Sequence, residues 1–187
     1  MKTITKKIVR ESLRMLILSS IISSIGGIGI EIVQEKVIQI IPLIIIIPAL
    51  NHMMGNLSTV LASKYSTLLY LGRINESNWQ KSKDISDLKS TLYTIAIILA
   101  FYLSVIGYII ALLKGYPLNI GIFLKIIIMS LAISLILLKL VFMISVSLGF
   151  YLFKRGKDPS TYLIPILTSI GDMGAMLFLA LFVIIFF

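Results

Sequence analysis

Five long apolar runs dominate the chain, at about 15–33, 37–72, 91–113, 118–153 and 160–187. A helix crosses the hydrocarbon of a bilayer in about 20 apolar residues. In lipid, its backbone groups must find their partners within the segment. Runs of this length predict an all-α fold: a polytopic membrane protein with five transmembrane helices per chain, two of them long or broken. Of 187 residues, 58% are hydrophobic and 13% charged, more apolar surface than one small water-soluble core could hide. A soluble globule and a disordered chain are both excluded, and little is left for a second, soluble domain.

The charges are placed as a membrane protein needs them. Lys2, Lys6, Lys7, Arg10 and Arg14 lie in the amino-terminal tail, Arg73, Lys81, Lys83 and Lys89 in the loop after the second span, and Lys154, Arg155 and Lys157 before the fifth. The opposite loops carry only Lys36 and Lys114. By the positive-inside rule the N-terminus is cytoplasmic and the C-terminus extracytoplasmic, in the cell (plasma) membrane. Residues 1–14 form a basic amphipathic segment suited to anionic lipids, and residues 15–187 a five-helix transmembrane domain. The first span runs on too long for a cleaved signal peptide. The basic excess does not come with a nucleic-acid module. Without cysteine, and with one histidine, thiolate sites, disulfides and imidazole clusters are excluded. No phosphate loop, metal-binding His-Glu helix or nucleophile elbow occurs, so an enzyme is not expected.

The second run, about 36 residues, is longer than one membrane thickness. It holds Pro42 and Pro48, then a polar series from Asn51 to Thr67. Proline kinks a helix by removing a backbone donor, and polar groups at membrane depth need protein or water beside them. Within this series Asn56, Thr59, Ser63 and Thr67 share one helical face. They could offer oxygens to a cation or simply bond to neighbouring helices. His52 reads as a packed or interfacial histidine. Lys64 reads as a lysine reaching back to the cytoplasmic side. Residues 73–90 form the one sizeable hydrophilic loop, and Gly115 with Pro117 makes a tight turn.

Asp172 is the most informative residue. Every other acid lies in a loop, in the tail or near a span end. Asp158-Pro159 is expected to start the fifth helix as N-cap and first residue. Thirteen residues on, at 1.5 Å each, Asp172 is about 20 Å along, near the bilayer middle. A carboxylate there is costly and marks an ion or proton path, unless it is a structural acid paired to Lys139. Pro165, Thr168, Asp172 and Ala175 fall on one face. Gly171 and Gly174 leave room either for close helix packing or for a hydrated ion.

Oxygen ligands without sulfur favour hard cations such as Mg²⁺, which keeps several of its waters. One carboxylate is little for a dication. Two copies of the chain meeting on a two-fold axis would present both Asp172 side chains to one ion, a physical reason to expect a homodimer. A lysine in such a path would repel the ion, so Lys139 is expected to face away or to sit beside an acid.

The run IPALNHMMGNLSTVLASKYSTLLYLG at 47–72 resembles the second-span signature of the solute carrier family 41 and MgtE magnesium transporters. The run KDPSTYLIPILTSIGDMGAM at 157–176 resembles their fifth-span signature. The resemblance implies a five-helix unit that pairs with itself, with the ion path at the interface. It implies Asp172 as the ion-binding acid, Gly55 and Asn56 beside the path, and Thr168 one turn before the acid. The expected site is therefore Asp172, Asn56 and Thr168 for the ion, with Gly55, Thr59, Ser63, Gly171 and Ala175 along the path. Mg²⁺ is the transported ion rather than a cofactor. MgtE proteins carry cytosolic sensing domains; here about 14 residues precede the first span. Two other readings stay open: a proton- or sodium-coupled carrier of another divalent cation, and a non-transporting membrane scaffold subunit.

Overall fold

The computed structural model describes residues 2–187, with side chains described for residues 9, 10 and 12–187. The side chains of Lys2, Ile4, Lys6, Lys7 and Ile8, part of the expected basic stretch, lie outside the described residues. The helices are α1 (Lys2–Ile32), α2 (Gln34–Gln39), α3 (Ile41–Tyr70), α4 (Lys83–Leu113), α5 (Ile120–Lys154) and α6 (Pro159–Phe186), with a 3-10 turn at Trp79–Lys81. Five of these, α1 from Ser12 onward and α3 to α6, are long and apolar enough to cross a membrane. The all-α, five-span expectation holds.

The boundaries differ from the hydropathy reading in three places. The segment at 37–72 is not one kinked helix. It divides at Ile40 into α2 and α3, with Pro42 in the first turn of α3 and Pro48 inside it. Proline has no N–H and disfavours a helical residue before it, so a helix starts at Pro42 more easily than it passes through. Lys36, counted above among the loop residues, lies with Glu35 on the short helix α2. Finally, α4 begins at Lys83, eight residues before the expected span. Hydropathy marks the lipid boundary, whereas the helix continues into water on an amphipathic turn. Ile85 and Leu92 are buried there while Asp84 pairs with Arg73 at 3.1 Å. The basic tail also continues without a break into the first span as α1.

The helix ends obey local chemistry. Gly72 (φ 67°) and Gly115 (φ 86°) close α3 and α4 in the left-handed region. The amides after them return to carbonyls inside the helix, from Arg73 to Leu68 and from Tyr116 to Ala111. Asp158 caps α6, its Oδ1 accepting the Ser160 amide at 2.9 Å, with Pro159 in the first turn. At the other end of α6, Lys125 of α5 donates to the Phe186 carbonyl at 2.6 Å and stands 4.9 Å over the Phe187 ring. A cation there complements the helix dipole.

Helix α3 packs against α4, α5 and α6, and α6 also carries α1. The core lies on the faces that α3 shares with α5 and α6, where Leu50, Met54, Leu61, Ile133, Leu137 and Leu167 are buried. Tyr65 is fully buried edge-on to Phe150, centroids 5.9 Å apart, and its hydroxyl donates to the Val146 carbonyl. The outer faces of α1 and α4 are apolar, with Ile17, Ile21, Ile28, Ile98, Phe101 and Ile109 exposed. The outer face of α3 is different: His52, Asn56, Ser63, Lys64 and Thr67 are exposed on it.

Candidate ion-binding site

Asp172 and Gly55 stand at the middle of α6 and α3, and the packing of those two helices brings them together. A Cβ added to Gly55 would lie 3.1 Å from Asp172 Oδ1 and 3.4 Å from Thr168 Cγ2. The missing side chain at 55 is thus the space into which the carboxylate is set. Next to Asp172, a Cβ on Gly171 would stand 2.8 Å from Ser58 Oγ and 3.3 Å from the Met54 carbonyl oxygen. Ser58 donates its hydroxyl to that same carbonyl at 2.8 Å, which satisfies the polar pair inside the contact. Gly171 therefore serves a backbone-close helix contact. Ala175 is buried as well.

The carboxylate itself is only half-buried. The Ser23 side chain of α1 and the His52 imidazole of α3 lie near it. No described lysine or arginine forms an ion pair with it. Among the described residues the ion pairs are Arg73–Asp84 and Lys154–Glu76, both at helix ends. Lys139 is exposed on α5 and is in neither of these ion pairs.

Two hydroxyls flank the acid. Thr59 Oγ1 donates to the Gly55 carbonyl at 3.0 Å, and Thr168 Oγ1 donates to the Ile164 carbonyl. The two oxygens face each other at 3.4 Å across the seam. A hydroxyl has one hydrogen and two lone pairs. With both hydrogens given to their own helices, the pair presents acceptor oxygens to whatever lies between the helices. Such a pair suits a cation or its water.

Asn56 is placed otherwise. It is exposed, and its Nδ2 lies 3.0 Å from His52 Nε2, one turn earlier on α3. Both residues line a cavity of about 420 Å³ between α3 and α4. Ser63 and Thr67 continue the exposed polar face toward the cytoplasmic loop, with Thr67 Oγ1 donating to the Ser63 carbonyl at 2.9 Å. The structure therefore joins Asp172, Gly55, Thr59 and Thr168 directly. Asn56, Ser63 and Thr67 lie on the open face beside them.

The family model MgtE, described as a divalent cation transporter, matches residues 47–182. The chain belongs to the MgtE family. It is a multi-pass membrane protein of a divalent cation transporter family, and the matched range holds Gly55, Thr59, Thr168 and Asp172. No curated protein and no solved structure matches the chain. Two residues at the candidate site have no signal in the sequence. Ser23 lies in an apolar first span with nothing to single it out from Ser19, Ser20 and Ser24. Ser58 lies off the Asn56 face by 200°, and only the approach of Gly171 gives it a role.

Proposed function

We propose that this MgtE protein moves Mg²⁺ across the cell membrane through a path at the interface of two copies, with Asp172 as the midplane carboxylate that binds the ion. The observation that carries the reading is the state of Asp172. It stands in the middle of a membrane helix, half-exposed at the surface of the single chain, with no cationic partner among the described residues. Lipid cannot solvate a carboxylate or the exposed amide and hydroxyls of α3, so water, ion or protein must cover them. Among the described residues no group of three His, Cys, Asp or Glu comes together. One carboxylate with hydroxyl and amide oxygens fits a dication that keeps most of its waters, and a second copy doubles the charge.

In this reading Thr59 and Thr168 hold the ion's water beside the acid, Asn56 adds a neutral oxygen, and Ser63 and Thr67 carry the path toward the cytoplasm. The basic segment 1–14 rests on anionic lipid. Reconstitution into liposomes tests it: Asp172→Asn, purified with unchanged helix content, should lower Mg²⁺ uptake at least tenfold. Full uptake by that variant removes the reading. Residual flux with altered pH dependence would favour a proton-coupled carrier instead.

A further inference from the structure

The contact between Asn56 and His52 decides which end of the Asn56 amide is free. An amide nitrogen only donates, so the amide as placed, with Nδ2 at 3.0 Å, goes with an accepting His52 Nε2, the tautomer that carries its ring proton on Nδ1. We propose that His52 is a positioning residue: by accepting from Asn56 Nδ2 it holds the amide so that the Asn56 carbonyl oxygen, and not its NH₂, faces the passing cation. The proposal rests on the reading that Asn56 lines the ion path.

An unheld asparagine presents either end with almost the same shape, and the two ends have opposite polarity. The oxygen attracts a dication or accepts from its water, whereas the NH₂ repels the ion. The bond runs from one turn of α3 to the next, so it is set within one helix before any second copy arrives. Both partners are exposed, and the cavity beside them is lined by Leu57 and Val60 of α3 and by Leu92, Ile95, Leu99 and Tyr102 of α4, so the Tyr102 hydroxyl is the one other polar side-chain group in that lining. Outer partners of this kind orient the groups that meet a metal ion, and their loss typically weakens binding about 10–100-fold.

Two variants separate positioning from packing. His52→Leu fills similar space without an acceptor. His52→Gln restores an acceptor within reach of the residue four positions on. In Mg²⁺ flux assays His52→Leu should raise the half-saturating concentration about tenfold with little change in maximal flux, and His52→Gln should stay close to the wild type. Equal behaviour of Leu and Gln, or an unchanged Leu variant, overturns the proposal. Asp172→Asn is run beside them. If it abolishes flux while His52→Leu changes nothing, the positioning role fails and the transport reading stands. A second readout does not depend on transport. The chain has one histidine, so ¹⁵N resonances of the ring report it alone. The proton should sit on Nδ1 in the wild type and shift toward Nε2 in Asn56→Leu. A wild-type ring protonated on Nε2 would mean the amide is turned the other way, and the proposal falls.

Discussion

Gly55 is where a single atom matters most. Its missing Cβ is the place of the Asp172 carboxylate, 3.1 Å from where that carbon would stand. Gly55→Ala should therefore displace the carboxylate by a few tenths of an ångström and weaken apparent Mg²⁺ affinity several-fold. Gly55→Val, with two more carbons, should abolish flux while the helices remain. Flux assays on detergent-purified variants with matched circular dichroism check both. Mg²⁺ should also raise the thermal unfolding midpoint of the wild type, because a ligand bound only by the native state stabilises it. Asp172→Asn should lose that rise. Asp172 was legible in the sequence because a lone acid inside an apolar run has few explanations. Gly55 was legible only through its family resemblance, and its physical purpose needed α6 beside it. His52 was visible but uninformative, since nothing in the spacing said whether the Asn56 amide would turn toward it.

At the scale of the helix, α6 depends on its start. Asp158 Oδ1 takes the Ser160 amide and hydroxyl, Oδ2 takes the Thr161 hydroxyl, and Tyr70 of α3 donates to Oδ1 at 3.1 Å. Burial pushes the Asp158 carboxyl up, but the bonds from Ser160, Thr161 and Tyr70 together outweigh it and hold the group below the usual carboxylate range. The unfolded chain therefore binds the proton first. The contribution of Asp158 is fully present above the ordinary carboxylate value and is lost as pH falls through its lowered folded value. Asp158→Ala should cost about 1 kcal/mol at neutral pH, a typical N-cap loss. Thermal unfolding of wild type and variant at pH 7 and in acid checks this: the gap between them should narrow as the acid titrates. The same dipeptide, Asp158-Pro159, made this boundary readable from sequence. The start of α4 was not readable, because an amphipathic turn in water carries no hydropathy signal. The division at Ile40 was half-readable: Pro42 marks a disruption without saying whether the helix bends or begins anew.

For the whole molecule, the unpaired feature is the outer face of α3. The apolar outer faces of α1 and α4 suit lipid, whereas Asn56, Ser63 and Thr67 do not. If that face meets its copy, a cysteine placed on it should link two chains. The sequence has no cysteine to confuse the result. Ser63→Cys in native membranes should give an oxidised dimer on non-reducing gels, and Ile98→Cys, on the apolar outside of α4, should not. Equal cross-linking at both positions, or at neither, would count against the pairing. Five spans could be counted from the sequence. Which of their faces meets which could not, since side-to-side order depends on contacts far apart in the chain.

The seating of α1 has a consequence of its own. Gly26 and Gly29 let this helix lie close to α6, where added methyl groups would stand 3.0 Å from Met173 Cα and 2.9 Å from Leu177 Cδ2. Met173 is the immediate neighbour of Asp172. Two notches one turn apart work like the wards of a key: the first helix cannot slide or roll along its neighbour without a side chain striking it. A displacement of α1 along α6 therefore meets first the residue beside the acid.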